Sequence, residues 1–190
     1  MSDVLSLFRA SGALLEGHFK LSSGLHSGGY LQCALVLQHP RHAETLGRAL
    51  ADQLRPFGAT VVLSPALGGL IIGHEVGRAL GVRAIFAERH DGTLTLRRGF
   101  SLSPDDRVVV VEDVVTTGGS TKETMAVAEA AGATVVGAGA VIDRSGGTSS
   151  LGAPFSPLVT LSLPTYQPDV CPLCKAGVEI TKPGSRGERR

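Results

Sequence analysis

Apolar positions along the chain follow two periods. Over residues 42–54 they recur at helical spacing, at Leu46, Ala49, Leu50 and Leu54, which predicts an amphipathic helix with one buried stripe. Residues 61–64 form a short, nearly unbroken apolar run that predicts a buried strand. Residues 70–80 predict a helix and residues 83–87 a further strand. Four consecutive valines, Val108 to Val111, are the clearest strand, and the Ala-rich residues 120–131 after them predict a helix with Gly132 as its C-terminal cap. Residues 134–142 are small and β-branched and predict another strand, residues 159–163 a last one, and residues 4–11 an opening helix. Strand, helix and strand in succession imply the α/β class, with a mostly parallel twisted sheet flanked by helices. No internal repeat is visible, and the charged, Gly-rich tail over residues 182–190 is expected to fray.

Composition narrows the function. At 190 residues the chain can bury one sizeable core, which implies a single domain. Its 18 basic and 17 acidic residues leave a formal charge of +1, so electrostatics give no case for a nucleic-acid or membrane partner. Hydrophobic residues make up 43% of the chain, yet no apolar run is long enough to span a bilayer. The N-terminal residues lack a basic region followed by an apolar stretch, so no signal peptide is expected. Three cysteines, an odd number, argue against a disulfide framework and for a reducing cytoplasm.

The chemistry concentrates in VVVVEDVVTTGGS, residues 108–120. In a parallel sheet, ligands sit beyond the carboxyl ends of the strands. Glu112 and Asp113 fall at such an end. After Val114 and Val115, the residues Thr116, Thr117, Gly118, Gly119 and Ser120 then form the turn into the next helix. Backbone N–H groups in such a turn point at an anion, and the helix dipole favours it. A ligand with a phosphate at one end and hydroxyls further along suits both features. Ribose 5-phosphate is such a ligand, with its phosphate in the turn and its 2′- and 3′-hydroxyls on the two acids. The plainer reading is a capped βα turn with exposed acids. The segment is not the lysine-bearing phosphate loop, because no lysine follows the glycines.

A hydrophobic strand, two acids, two aliphatic residues and T-T-G-G-S resemble the signature of type I phosphoribosyltransferases, which binds phosphoribosyl pyrophosphate. Two further segments narrow the resemblance to orotate phosphoribosyltransferases: FKLSSGLHSGGYLQ, residues 19–32, is similar to that family's N-terminal substrate segment, and VIDRSGG, residues 141–147, to its strand-end arginine. The resemblance implies a Rossmann-like sheet with a small hood made by about residues 1–40 and the C-terminal segment. It implies transfer of the phosphoribosyl group to N1 of orotate in pyrimidine (UMP) biosynthesis, with Mg²⁺ bound through the substrate's pyrophosphate and ribose hydroxyls rather than by a firm protein ligand. Arg144 would hold the orotate carboxylate, for which a guanidinium offers a bidentate fork. Thr116, Lys20, Ser22, Ser23, Gly24 and His26 would complete the orotate site. SPALGGLIIG, residues 64–73, resembles the loop that grips pyrophosphate, with Ala66, Leu67 and Gly68 as its contacts.

The chain departs from the family's pattern in places. Gly68 stands where the best-known relatives carry a lysine. The family's mobile loop, rich in Lys and Arg and lent across a homodimer to the neighbour's site, corresponds here to FAERHDGTLTLRRGF, which has no lysine. Arg89 aligns best with a family lysine, and Glu88 occupies a position usually held by arginine. The sequence leaves open whether His90 replaces the family's histidine. Arg97 and Arg98 fall near the expected start of the returning strand. CPLC, residues 171–174, reads as half of a tetrathiolate zinc site, with Cys33 and His90 both far away in sequence. Two copies meeting across a dimer would supply four thiolates; the plainer reading is a pair of buried or loose thiols. The rival functions are a purine phosphoribosyltransferase, which needs no arginine for a carboxylate, and a non-catalytic regulator using the same ribosyl-phosphate pocket and binding nucleic acid, which should carry an added basic domain or patch and which the near-neutral charge and modest length argue against.

Overall fold

The computed structural model describes residues 4–21 and 23–183. The expected fraying tail therefore lies, from residue 184 onward, outside the described residues, as does Ser22. Along the chain the elements are α1 (Val4–Ala10), β1 (Leu14–Lys20), β2 (His26–Leu31), α2 (Cys33–Leu37), α3 (Pro40–Leu54), β3 (Val61–Pro65), α4 (Gly69–Leu80), β4 (Arg83–His90), β5 (Thr93–Leu96), β6 (Arg107–Val115), α5 (Gly119–Ala130), β7 (Thr134–Asp143), β8 (Phe155–Thr160), β9 (Thr165–Tyr166) and α6 (Pro172–Lys175). They fall into two compact units: residues 1–36 with 162–190, and residues 37–161.

The larger unit holds a six-stranded sheet in the order β5-β4-β3-β6-β7-β8. All its pairings are parallel except β4 with β5. The centre of the sheet is buried on both faces, which is why β6 can be an unbroken run of valines rather than an alternating strand. On one face Val61, Leu63, Val108 and Val110 pack with Met125 and Ala128 of α5. On the other face α3 and α4 lie against the sheet and each other. A Cβ added at Gly47 of α3 would sit 2.5 Å from the Glu75 Cβ of α4, and one at Gly139 would sit 2.9 Å from Leu54 Cδ1. Gly132, at φ 84°, ends the helix before β7 as expected, its N–H donating to the Glu129 carbonyl while Ala133 donates back to Ala128.

Three departures have clear causes. β8 begins at Phe155, earlier than the run expected over residues 159–163, and Pro157 lies inside it. A proline is tolerated there because β8 is an edge strand. β4 continues to His90 and returns directly as β5, with His90 paired to Thr93. Only Asp91 and Gly92 turn the chain, both at positive φ (50° and 83°), a pattern that matches the twist of a two-residue hairpin. The segment that the resemblance assigns to the mobile loop between two strands is therefore a two-residue hairpin, and Arg97 and Arg98 lie beyond its returning strand, not near its start. The third departure is the smaller unit. Its N-terminal residues form β1 and β2, which join β9 in an antiparallel sheet of order β1-β2-β9. Among the described residues no helix is long and apolar enough to cross a membrane.

The close approach of α3 and α4 sets two effects against each other. Alanine is the better helix former, by about 1 kcal/mol, but a Cβ at Gly47 meets the Glu75 backbone carbon at 3.0 Å. Overpacking costs about 1–3 kcal/mol. Gly47→Ala is therefore expected to lower the urea midpoint; a raised midpoint would contradict this packing.

Candidate active site

β6 carries the two acids out of the valine core. Glu112 is only 7% exposed, and Asp113 beside it is half-buried. Burial pushes the Glu112 carboxyl up to about 8, and the neighbouring Asp113 charge adds to the rise. Burial also raises Asp113, against the N–H of Val114, which donates to its Oδ1 at 2.8 Å. Both carboxyls are thus held above their ordinary range, so the pair keeps a proton to higher pH than free carboxyls would. A carboxyl whose folded pKa is raised contributes stability that is present below the ordinary value near 4.5 and lost as pH rises through about 8. The fold holds these acids at a cost, and strongly shifted groups of this kind cluster at functional sites.

The turn that follows has the predicted form. Thr116, Thr117, Gly119 and Ser120 are exposed, and Gly118 is buried. Gly118 takes φ 77° at the N-terminus of α5, where a Cβ would also come within 2.5 Å of Leu151. Gly118 leads into the 12-residue helix α5, whose first N–H groups have no partner within the helix and no side-chain cap at Gly118.

The loop between β3 and α4 comes up against the acids. Leu67 is 82% exposed, and the Ala66–Leu67 peptide bond is cis. A Cβ added at Gly68 would lie 2.7 Å from Asp113 Oδ1 and 3.0 Å from Oδ2. A side chain starting at Gly68 would therefore begin against the Asp113 carboxylate.

Arg144 emerges at the end of β7. Val115 of β6 is in register with Asp143, and the Arg144 N–H donates to the Val115 carbonyl at 2.8 Å. The half-buried guanidinium-bearing residue therefore follows the strand end next to the acids and the turn. Buried Asp143 accepts the N–H groups of Ser145 (2.8 Å) and Gly147 (3.1 Å), which shapes the loop that carries Arg144.

Other candidates lie elsewhere. Arg89, on β4, donates to the Glu123 carboxylate at 2.7 Å and to the Gly92 carbonyl at 2.7 Å. His90 is 3.3 Å from Asp91. Glu88 receives Arg98 at 2.9 Å and Arg97 at 3.7 Å, and the Arg98 hydrogen bond holds its carboxyl below the ordinary range. Lys20, Ser23, Gly24 and His26 belong to the smaller unit. Lys20 is exposed at the end of β1, and Ser23 and Gly24 (φ 85°) form the turn into β2. His26, which the resemblance places at the orotate site, is 7% exposed and contacts His18 and Cys174. His18, which the sequence reading passed over, lies in the same cluster. Its one sequence signal was a histidine eight residues before another, both upstream of a Cys-x-x-Cys pair.

Comparison with known proteins matches this architecture. Residues 35–161 match the phosphoribosyl transferase domain. An orotate phosphoribosyltransferase of Pelotomaculum thermopropionicum is 52% identical over 184 residues, covering 97% of each chain. One of Novosphingobium aromaticivorans is 55% identical over 189 residues, covering 98% of this chain and 97% of its own. Among solved structures, orotate phosphoribosyltransferase from Aeropyrum pernix superposes with a TM-score of 0.66 at 26% identity, covering 84% of this chain and 94% of that one. With the acid pair, the glycine turn and the strand-end arginine in the family's order, this chain belongs to the orotate phosphoribosyltransferase family.

Proposed function

We propose that the chain transfers the 5-phosphoribosyl group of phosphoribosyl pyrophosphate to N1 of orotate, giving orotidine 5′-phosphate and pyrophosphate. The observation that carries this reading is the convergence at neighbouring strand ends of a buried acid pair, an N–H-lined turn and an arginine. The turn from Thr116 to Ser120 holds the 5-phosphate. Glu112 and Asp113 accept the ribose hydroxyls and fix the sugar ring. Ala66 to Gly68 pass beside Asp113 and offer backbone to the pyrophosphate end. Arg144 takes the orotate carboxylate through a charge-assisted pair.

In the reaction the bond from the ribose anomeric carbon to pyrophosphate breaks, and the leaving group takes the electron pair. The carbon passes through an oxocarbenium-like state, and N1 of deprotonated orotate donates the pair that forms the new bond. No covalent nucleophile is needed. Glu112 and Asp113 supply hard oxygens suited to Mg²⁺ chemistry, and Mg²⁺ bound through the substrate's own oxygens would offset the leaving group's charge.

The active form we propose is a homodimer in which the β4–β5 hairpin lends Arg89 to the neighbour. Its present partner, Glu123, is an exposed surface pair with both side chains 49% accessible. Such pairs contribute about 0–1 kcal/mol, so exchange for a pyrophosphate is energetically open.

The direct assay follows the loss of orotate absorbance with phosphoribosyl pyrophosphate and Mg²⁺, with adenine and guanine as competitors. Orotate consumption that purines do not inhibit is expected; turnover of a purine base without orotate turnover would overturn the assignment. Arg144→Ala should raise the orotate KM roughly tenfold to a hundredfold, the equivalent of about 1.5–3 kcal/mol for a charged hydrogen bond, while the KM for phosphoribosyl pyrophosphate changes far less. Equal effects on both would make Arg144 structural. Finally, mixing inactive Arg89→Ala and Asp113→Asn proteins should restore part of the activity, because a mixed dimer regains one intact site. No recovery despite demonstrated subunit exchange would place Arg89 in its own chain's site.

A further inference from the structure

The smaller unit carries a second cluster that the transfer reaction does not use. His18 of β1 and His26 of β2 face one another across the antiparallel pair, His18 Nε2 lying 3.0 Å from His26 Nδ1. Cys171 and Cys174, at and within α6, close on them from the far end of the chain. Cys171 Sγ is 3.5 Å from His18 Nε2, and Cys174 Sγ is 3.7 Å from His18 Nε2 and 3.2 Å from His26 Nδ1. All four ligating atoms lie within 4.8 Å of one another, and His18, His26 and Cys171 are buried.

These separations are those of a coordination shell. Zinc bonds of about 2.3 Å to sulfur and 2.0–2.1 Å to nitrogen, set tetrahedrally, place two nitrogens about 3.3 Å apart and a nitrogen and a sulfur about 3.6 Å apart. The four nitrogen–nitrogen and nitrogen–sulfur contacts above fall within about half an ångström of these values. The tautomer is set as well. His18 Nδ1 lies 2.8 Å from the Val178 carbonyl, which can only accept, so Nδ1 carries the proton and Nε2 turns its lone pair into the cluster. A carbonyl held behind a ligating histidine is the outer-shell arrangement that orients metal ligands.

We propose that His18, His26, Cys171 and Cys174 bind one zinc ion per chain as a closed structural site. Two thiolates and two imidazoles in tetrahedral array select zinc over the harder divalent ions, and four protein ligands leave no position open for substrate. Both histidines belong to the same chain as the cysteines, so the Cys-x-x-Cys pair needs no second copy to complete it. The ion joins residues 153 positions apart in sequence. It fastens the C-terminal segment where that segment runs along β1, with Thr181 N–H on the His18 carbonyl and Lys20 N–H on the Thr181 carbonyl, each at 2.8 Å. The site therefore builds the smaller unit rather than performing chemistry, and it stands independently of the transferase reading.

The test measures metal in the full-length protein, purified without chelator and without a metal-affinity step. Elemental analysis should return roughly one zinc per chain, and a Cys171→Ser, Cys174→Ser double variant should lose it. Reduced apo-protein refilled with cobalt(II) should show the intense visible bands of a tetrahedral ion together with thiolate-to-cobalt charge transfer in the near ultraviolet. Removing the zinc with a strong chelator should lower the thermal midpoint. Roughly half a zinc per chain would overturn the proposal in favour of a thiolate site shared between two copies. A zinc-free protein whose reduced apo form gives no cobalt spectrum, or a Cys171–Cys174 disulfide in freshly isolated protein, would overturn it outright. The wild-type stoichiometry and cobalt spectrum decide the matter even if the double variant does not fold.

Discussion

Two carboxyl groups on consecutive residues, Glu112 and Asp113, leave a strand with valines on both sides of the sheet. Like charges so close, and so far out of water, cannot both ionise at little cost. Everything around them answers that constraint. The acids lie in the last half of β6, followed within the strand only by Val114 and Val115. Gly68 keeps the neighbouring loop clear of Asp113, and β7 in register beside β6 brings Arg144 to the same edge. In the proposed complex the sugar hydroxyls would donate to both acids and give these buried oxygens the hydrogen bonds that burial withholds from water.

The central sheet was legible because its residues follow simple periods: apolar runs for doubly covered strands, helical spacing for α3 and a glycine at the end of α5. The acid pair, the turn and Arg144 were legible because each lies at a strand end within one short stretch. What was hidden depended on distance or on unfavourable composition. β1 and β2 were read as a Gly/Ser-rich substrate segment, since HSGGYL offers little apolar alternation. β8 was obscured by Pro157. The Asp91–Gly92 turn is itself a hairpin signal, but the segment was placed by its resemblance to a mobile loop.

The smaller unit shows the same limit at the level of chemistry. CPLC was visible as half of a metal site, yet its partners are histidines about 150 residues upstream. They were invisible as partners because one was passed over and the other had been assigned to substrate. Only the pairing of β1 with β2, and the return of the chain end along β1, brings the four together. A chain with so small an antiparallel sheet has little apolar area there to hold it, and cross-linking by side chains is a physical alternative to a larger core.

The central proposal, that the buried pair of Glu112 and Asp113 accepts the ribose hydroxyls, is tested through the proton that burial keeps on the pair. Calorimetric titration of phosphoribosyl pyrophosphate, with Mg²⁺ present and at about pH 7.5 in two buffers of different ionisation enthalpy, counts the protons released on binding. The pKa near 8 predicts that the wild-type protein releases up to one proton more than Glu112→Gln, and that its affinity weakens as the pH falls below about 8 while the variant's weakens less. Equal proton counts in the two proteins, with both binding and both showing the same dependence on pH, would contradict the account.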